Sequence, residues 1–405
     1  MKIEEIKVFV SCPARNFVTV KITTEDGTIG WGDATLNGRE LAVVAYLEEH
    51  IIPCLPGKDA QQIEDIWQYL YRGAYWRRGP VTMTAIGSID LALWDIKGKA
   101  AGLPVYQLLG GKSRNKLKTY GHANGENIEQ TLDNSGKLIE QGFKAVRLQC
   151  ALPNTEGTYG TLGDKKDYFE LQSDRPLPPE QEWNTTKYLN FIPKLFKAAR
   201  EKFGADIEFL HDVHSRLTPI EAARLGKELE PYHLLFLEDP VTAEHQSSYE
   251  NIRQHTTTPL AVGEVFNTIY DSMELISRQW IDFIRTAATH GGGITPLRKL
   301  ADFAALYHVR MAPHGAPDLS PICHAAQAHV NAYANNFGIQ EFIGLGNETL
   351  NKVFSHPLSF EDGYLFLEDK PGLGVDYHEQ EASNYEYKRS YLPVTRLEDG
   401  TLWNW

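Results

Sequence analysis

Three short stretches decide the fold. They are Ile207-Glu208-Phe209-Leu210-His211-Asp212, Leu234-Leu235-Phe236-Leu237-Glu238-Asp239-Pro240 and Leu260-Ala261-Val262-Gly263-Glu264. Each is an apolar run that ends in an acid, and Asp212, Glu238 and Glu264 follow one another at intervals of 26 residues. That interval is close to the length of one strand-plus-helix unit. Working outward, further short apolar runs occur at Lys118–Tyr120, Ala145–Gln149, Ile281–Ile284, Val309–Ala312 and Ile339–Phe342, separated by amphipathic segments. Eight such units predict a (β/α)8 barrel, whose strand C-termini carry the active site.

One interval breaks the rhythm. About 57 residues separate the second and third runs, and Ala151–Trp183 within it is rich in Gly, Pro, Thr and Asp. An insertion of that length after a barrel strand is expected to be a lid or a subunit contact, or else a tolerated surface loop. Ahead of the barrel, Lys2–Val10 and Phe17–Thr23 alternate as strands, Asp26-Gly27 supplies a hairpin turn, and Ile29–Trp31 returns. Ile86, Ile89, Leu93 and Ile96 then repeat at helical spacing until Gly102 and Pro104. The tail ends in Leu402-Trp403-Asn404-Trp405, and two tryptophans there predict a docked segment.

The 405 residues are 42% apolar and 23% charged, the composition of a globular protein. A net charge of −13 argues against a nucleic-acid or membrane partner, although a few local cations can still hold an anionic substrate. The N-terminal stretch Met1–Val10 lacks an apolar core and a cleavage site, and no run is long enough to span a bilayer. With four scattered cysteines (Cys12, Cys54, Cys150, Cys323) read as reduced thiols, the expected location is the cytoplasm. Gly291-Gly292-Gly293 is not a dinucleotide fingerprint, and no P-loop or nucleophile elbow is present.

Three carboxylates brought together at one barrel mouth repel one another unless a cation lies among them, and an all-oxygen set suits Mg2+. At this point the chain resembles a known family. His211-Asp212-Val213-His214, Leu237-Glu238-Asp239-Pro240 and Gly263-Glu264-Val265-Phe266-Asn267 are similar to the metal-ligand segments of the enolase superfamily. More narrowly, the chain resembles the mannonate dehydratase group, from Arg39-Glu40-Leu41 and Tyr75-Trp76-Arg77-Arg78-Gly79-Pro80 to Leu402-Trp403-Asn404-Trp405.

The resemblance implies an α/β chain. An α+β capping domain (1–114) precedes a modified (β/α)8 TIM barrel (115–365), and a C-terminal segment (366–405) packs back on the cap and active site. It implies one Mg2+ per subunit held by Asp212, Glu238 and Glu264, stabilising an enolate formed by loss of the proton α to a carboxylate. It implies Tyr159 as the general base, with Arg147 in the place where many superfamily members carry a lysine. Arg stays protonated and can hold a phenol as phenolate. His214, two residues beyond Asp212, can protonate the departing 3-hydroxyl or serve as a structural or supporting histidine. Arg285 stands where another branch has an aspartate orienting the seventh-strand histidine, which weakens any case for racemisation. Asn37, His122, Arg285, His314, Asp318, Glu341 and Trp405 are implied as substrate-binding residues. The expected activity is Mg2+-dependent dehydration of a sugar acid, D-mannonate first, to a 2-keto-3-deoxy acid, by a homo-oligomer. Open beside it are another aldonate such as D-gluconate, an epimerisation, or a metal-binding member with negligible turnover and a sensing role.

Overall fold

The computed structural model describes residues 1–153, 180–342, 344 and 348–404. Three antiparallel strands, Ile3–Ser11, Phe17–Thr24 and Ile29–Asp33, open the chain. Asp26 builds the expected turn by accepting from the Thr24 hydroxyl at 2.6 Å and from the Thr28 amide at 3.2 Å. The helix carrying Ile86, Ile89, Leu93 and Ile96 begins at Pro80, because Pro fits the first helical position. It runs to Ala101 and stops at Gly102, which adopts φ 67°.

This helix is buried on nearly all sides because it lies between the cap sheet and the barrel. On the sheet side, a Cβ at Gly32 would stand 1.9 Å from the Ser88 carbonyl oxygen. On the barrel side the triple glycine finds its reason. Gly293 has φ 107°, and a Cβ there would lie 2.3–2.5 Å from the Asp90 side chain. Trp94 Nε1 donates to Thr295 Oγ1 at 2.9 Å and Trp67 Nε1 to the Gly292 carbonyl at 2.7 Å, so cap and barrel are hydrogen-bonded along this seam.

All eight anticipated barrel strands are present. They are Leu117–Gly125, Ala145–Cys150, Glu208–Asp212, Leu237–Glu238, Leu260–Val262, Phe283–Ile284, Arg310–Met311 and Gln340–Glu341. Neighbours pair in parallel from the first strand to the seventh, and the eighth pairs with the first through Gln340–Thr119 and Glu341–Tyr120. Met311 N donates to Asn336 O and Gly338 N to Met311 O, which closes the ring between the seventh strand and the approach to the eighth. Each strand, or the residue flanking it, contributes to a common apolar layer: Tyr120, Ala145, Leu210, Phe236, Ala261, Phe283, Ala312 and Ile339. A hairpin absent from the sequence reading, Leu358–Glu361 with Tyr364–Leu367, adds antiparallel to the start of the first strand at Leu117–Lys118. No helix among the described residues is long and apolar enough to cross a membrane.

The tail divides its contacts. Tyr377 packs among Phe9 and Trp31 of the cap and Phe354, at 5.1–5.5 Å between ring centroids. Further on, Val394–Leu397 pairs in parallel with Glu180–Trp183, at the exit of the insertion, and antiparallel with Leu402–Trp403. The tail therefore returns to the cap and then to the barrel mouth. All four cysteines are free thiols, and only Cys54 is exposed.

Candidate active site

The site follows from strand periodicity. Side chains two apart on a strand share a face. Two residues beyond the apolar layer come His122, Arg147, Asp212, Glu238, Arg285, His314 and Glu341, stacked above Tyr120, Ala145, Leu210, Phe236, Phe283, Ala312 and Ile339. The fifth strand is the exception: Ala261 is followed by Glu264 three residues on. Gly263 between them has φ 126°, and a Cβ there would meet Ile284, Phe266 and Thr286 at 2.9–3.2 Å. Glycine thus takes the left-handed kink that turns Glu264 into the ring.

One carboxylate oxygen from each of Asp212, Glu238 and Glu264 lies within 4.8 Å of the others. Asp212 and Glu238 are buried, and Glu264 is partly exposed toward the cavity. Burial and the charges of Asp212, Glu264 and Glu341 hold the Glu238 carboxyl well above its ordinary range, against the pull of Arg285. Apart from its ion pair with Arg285, neither Glu238 oxygen accepts a hydrogen bond among the described residues. Two buried Glu238 oxygens, one of them paired with Arg285, beside two further carboxylates are a donor set that fits a hard divalent cation.

Arg147 Nη1 donates to Asp212 Oδ2 at 2.9 Å. Burial opposes its charge, but Asp212 and Glu341 outweigh that and keep the guanidinium protonated. His214 reaches Asp212 through a turn rather than along an extended strand. The strand stops at Asp212, and His214 and Ser215 turn left-handed with φ 54° and 60°. The turn lets His214 N donate to Asp212 Oδ1 at 3.0 Å and brings its Nε2 to 2.7 Å from Oδ2. Burial works against ionisation of Asp212, but His214 and Arg147 hold its carboxyl well below the usual range.

Arg285 and Glu341 depart from the expected placement. Both are buried beneath the cavity and do not line it. Arg285 pairs with Glu238, and its Nη2 lies 2.7 Å from Glu341 Oε2, so the guanidinium serves as a counter-ion below the acids. Glu341 also accepts from Gly315 N at 2.8 Å and lies 2.8 Å from His122 Nε2. Their place in the structure is the buried floor under the three acids. Burial, with Arg147 nearby, lowers the His122 pKa to about 4, which favours a neutral imidazole beside the Glu341 carboxylate. His314 behaves oppositely: Asp318, Glu264 and Glu341 overcome burial and raise it well above its ordinary value.

Above this floor lies a cavity of about 530 Å³. Of the expected residues, Asn37, His122, Arg147, His214, Glu264, His314 and Asp318 line it. Asp318 Oδ1 is 3.2 Å from His314 Nε2. Tyr159 and Trp405 lie outside the described residues. The sequence reading missed Arg15, Asn124, Asn267, His290 and Leu392, which also line the cavity. Asn124 had a signal, since it lies two beyond His122 on the same strand face. Arg15 and Leu392 had none, because a cap loop and a tail segment reach the barrel only through tertiary packing.

With the barrel, the cap and the acid triad in place, family matches follow. Residues 137–381 match the family model described as enolase C-terminal domain-like. Residues 7–110 match the mandelate racemase/muconate lactonizing enzyme N-terminal domain. The chain belongs to the enolase superfamily. At finer grain, it is 58% identical over 404 residues to a D-mannonate dehydratase from Sphingomonas sp. (strain SKA58), with 100% of both chains covered. It is 59% identical over 405 residues to the D-galactonate dehydratase family member RspA of Halomonas elongata, again with 100% of both covered. Among solved structures, an enolase from Pantoea ananatis with bound D-gluconate and Mg is similar at TM-score 0.91 and 39% identity, over 100% of this chain and 99% of that one.

Proposed function

We propose that the chain is a Mg2+-dependent acid-sugar dehydratase whose substrate is D-mannonate and whose product is 2-keto-3-deoxy-D-gluconate. The observation that carries this reading is the meeting of three carboxylates on successive strands with Arg147 and His214, beside a cavity of about 530 Å³ lined by Asn37, His122, Asn124, His314 and Asp318 among others. Full-length relatives named D-mannonate dehydratase support the substrate.

Asp212, Glu238 and Glu264 would hold the cation. When bound, it supplies positive charge beside the substrate carboxylate and so lowers the cost of removing the α-proton. Tyr159 takes that proton from C2. Arg147, fixed by Asp212 at the cavity wall, favours the phenolate form of such a base. His214 gives a proton to the C3 hydroxyl as the C3–O bond breaks, and water leaves. The resulting enol tautomerises to the 2-keto-3-deoxy acid, so protons and electrons balance without a redox partner. Asn37 from a cap loop, His122 from the first barrel strand, and His314 and Asp318 from the loop after the seventh offer donors and acceptors to the remaining hydroxyls. A polyol loses affinity for every hydroxyl left unmatched, which is how such a ring selects among stereoisomers.

The test is purified protein with Mg2+ and a panel of aldonates and aldarates, read by formation of 2-keto-3-deoxy acids. D-Mannonate is expected to be dehydrated. Turnover of none of the panel contradicts the reading.

A further inference from the structure

The turn that carries His214 is anchored from outside the barrel. Consecutive non-glycine residues at positive φ are costly, and they persist only where the surroundings hold them. On the inner side the anchors are ladder-like: Val213 N donates to Glu238 O at 3.0 Å, Ser215 N to Asp239 O at 2.7 Å and Leu217 N to Pro240 O at 3.2 Å. On the outer side the next residue, Arg216, is gripped twice. Its carbonyl accepts from Trp403 Nε1 at 2.8 Å, and its guanidinium carbon lies 5.1 Å from the centroid of the Trp183 ring. Arg216 and Trp183 are almost fully buried, at 2% and 1% exposure, so neither contact is an incidental surface one.

Both tryptophans belong to one small sheet. Leu397 pairs with Trp183 across its parallel edge, and Thr395 pairs with Trp403 across its antiparallel edge. The sheet joins the exit of the insertion to the last turn of the chain, and Leu392, two residues before its middle strand, lines the cavity. We propose that Trp403 and Arg216 are positioning residues for His214, through which the C-terminal tail sets the aim of the acid that protonates the departing hydroxyl. This rests on the dehydratase reading for its chemistry but on the Arg216 contacts for its geometry. A hydrogen bond two residues from the imidazole acts on its placement, and misplacement by about 1 Å costs about 100-fold in rate.

The consequence is selective. Proton abstraction from C2 is assigned to a different residue on a different segment, so loosening the His214 turn slows C–O cleavage and spares C2 exchange. Trp403→Phe keeps the ring and removes the donor. Arg216→Lys keeps the charge and removes the planar stack on Trp183. Leu402→Ala, at an exposed neighbour in the same strand, is the control.

Each variant is loaded with Mg2+ and given D-mannonate in D2O. Deuterium at C2 of recovered substrate and product formation are followed together, and the His214 ring signals are read in 15N-histidine-labelled protein. Trp403→Phe and Arg216→Lys are expected to lower dehydration about tenfold or more, leave C2 exchange within about twofold and shift the His214 signals. Leu402→Ala is expected to change none of the three. Unmoved His214 signals in Trp403→Phe, or equal loss of exchange and dehydration, overturns the proposal. If the parent protein neither exchanges nor dehydrates D-mannonate, the substrate reading fails by itself, and the His214 signals still decide the positioning claim.

Discussion

At the scale of the residue, the site is an electrostatic bargain. Asp212, Glu238 and Glu264 repel, and in this structure the charges of Arg147, Arg285 and His314 hold them together, with the His214 ring 2.7 Å from Asp212. The Glu238 carboxyl stays strained toward protonation because burial and its acidic neighbours outweigh Arg285. A divalent cation relieves that repulsion. Mg2+ at about one hundred times its dissociation constant is therefore expected to stabilise the fold by about 2.7 kcal/mol, seen as a higher Tm that EDTA reverses. Glu238→Gln should lose this rise and bind Mg2+ at least tenfold more weakly by calorimetry. A variant with the parent's metal affinity removes Glu238 from the ligand set. His214→Asn should cut dehydration at least 100-fold while C2 exchange persists, and the two rates separate the acid from the base. The acids were legible in the sequence because 26-residue spacing and a preceding apolar run are local signals. The burial of Arg285 beneath them was not, since an arginine at a strand end reads the same whether it points to a pocket or to a neighbouring glutamate.

At the scale of the element, the seam between the Pro80–Ala101 helix and the Gly291-Gly292-Gly293 loop holds cap and barrel in register over the cavity. Gly293→Ala adds a Cβ at φ 107° against Asp90, and it is expected to cost about 3 kcal/mol, read by chemical denaturation. Asp90 itself makes the seam sensitive to pH. Burial raises its carboxyl pKa to about 7, although Thr295 N donates to it at 2.9 Å. The folded state thus keeps a proton that the unfolded chain releases near pH 4. The stability this group contributes is full below about pH 4 and is lost as pH rises through about 7. Asp90→Asn should remove that component, so its Tm relative to the parent rises from pH 5 to pH 8. A constant difference across that range contradicts the assignment. The helix was legible from its isoleucine spacing, but the Leu358–Leu367 hairpin and the pairing of Val394–Leu397 with Glu180–Trp183 were not. Their partners lie far away in sequence, and strand pairing leaves no local mark on either side.

At the scale of the whole molecule, three parts of the chain converge on one cavity. The barrel brings the charged ring, the cap brings Arg15, Leu36 and Asn37, and the tail brings Leu392. Barrel strands of only two residues still deliver their side chains, because each is set by its parallel neighbours and by the apolar layer below. That architecture fixes what the site can attract and stabilise, and the polar groups lining the cavity choose which acid sugar fits. The most direct test follows the NMR spectrum of D-mannonate in D2O with the Mg2+-loaded protein and with the same protein in EDTA. The account predicts 2-keto-3-deoxy-D-gluconate carrying solvent deuterium in the first sample and unchanged substrate in the second; no product with Mg2+, or equal product in EDTA, would contradict it.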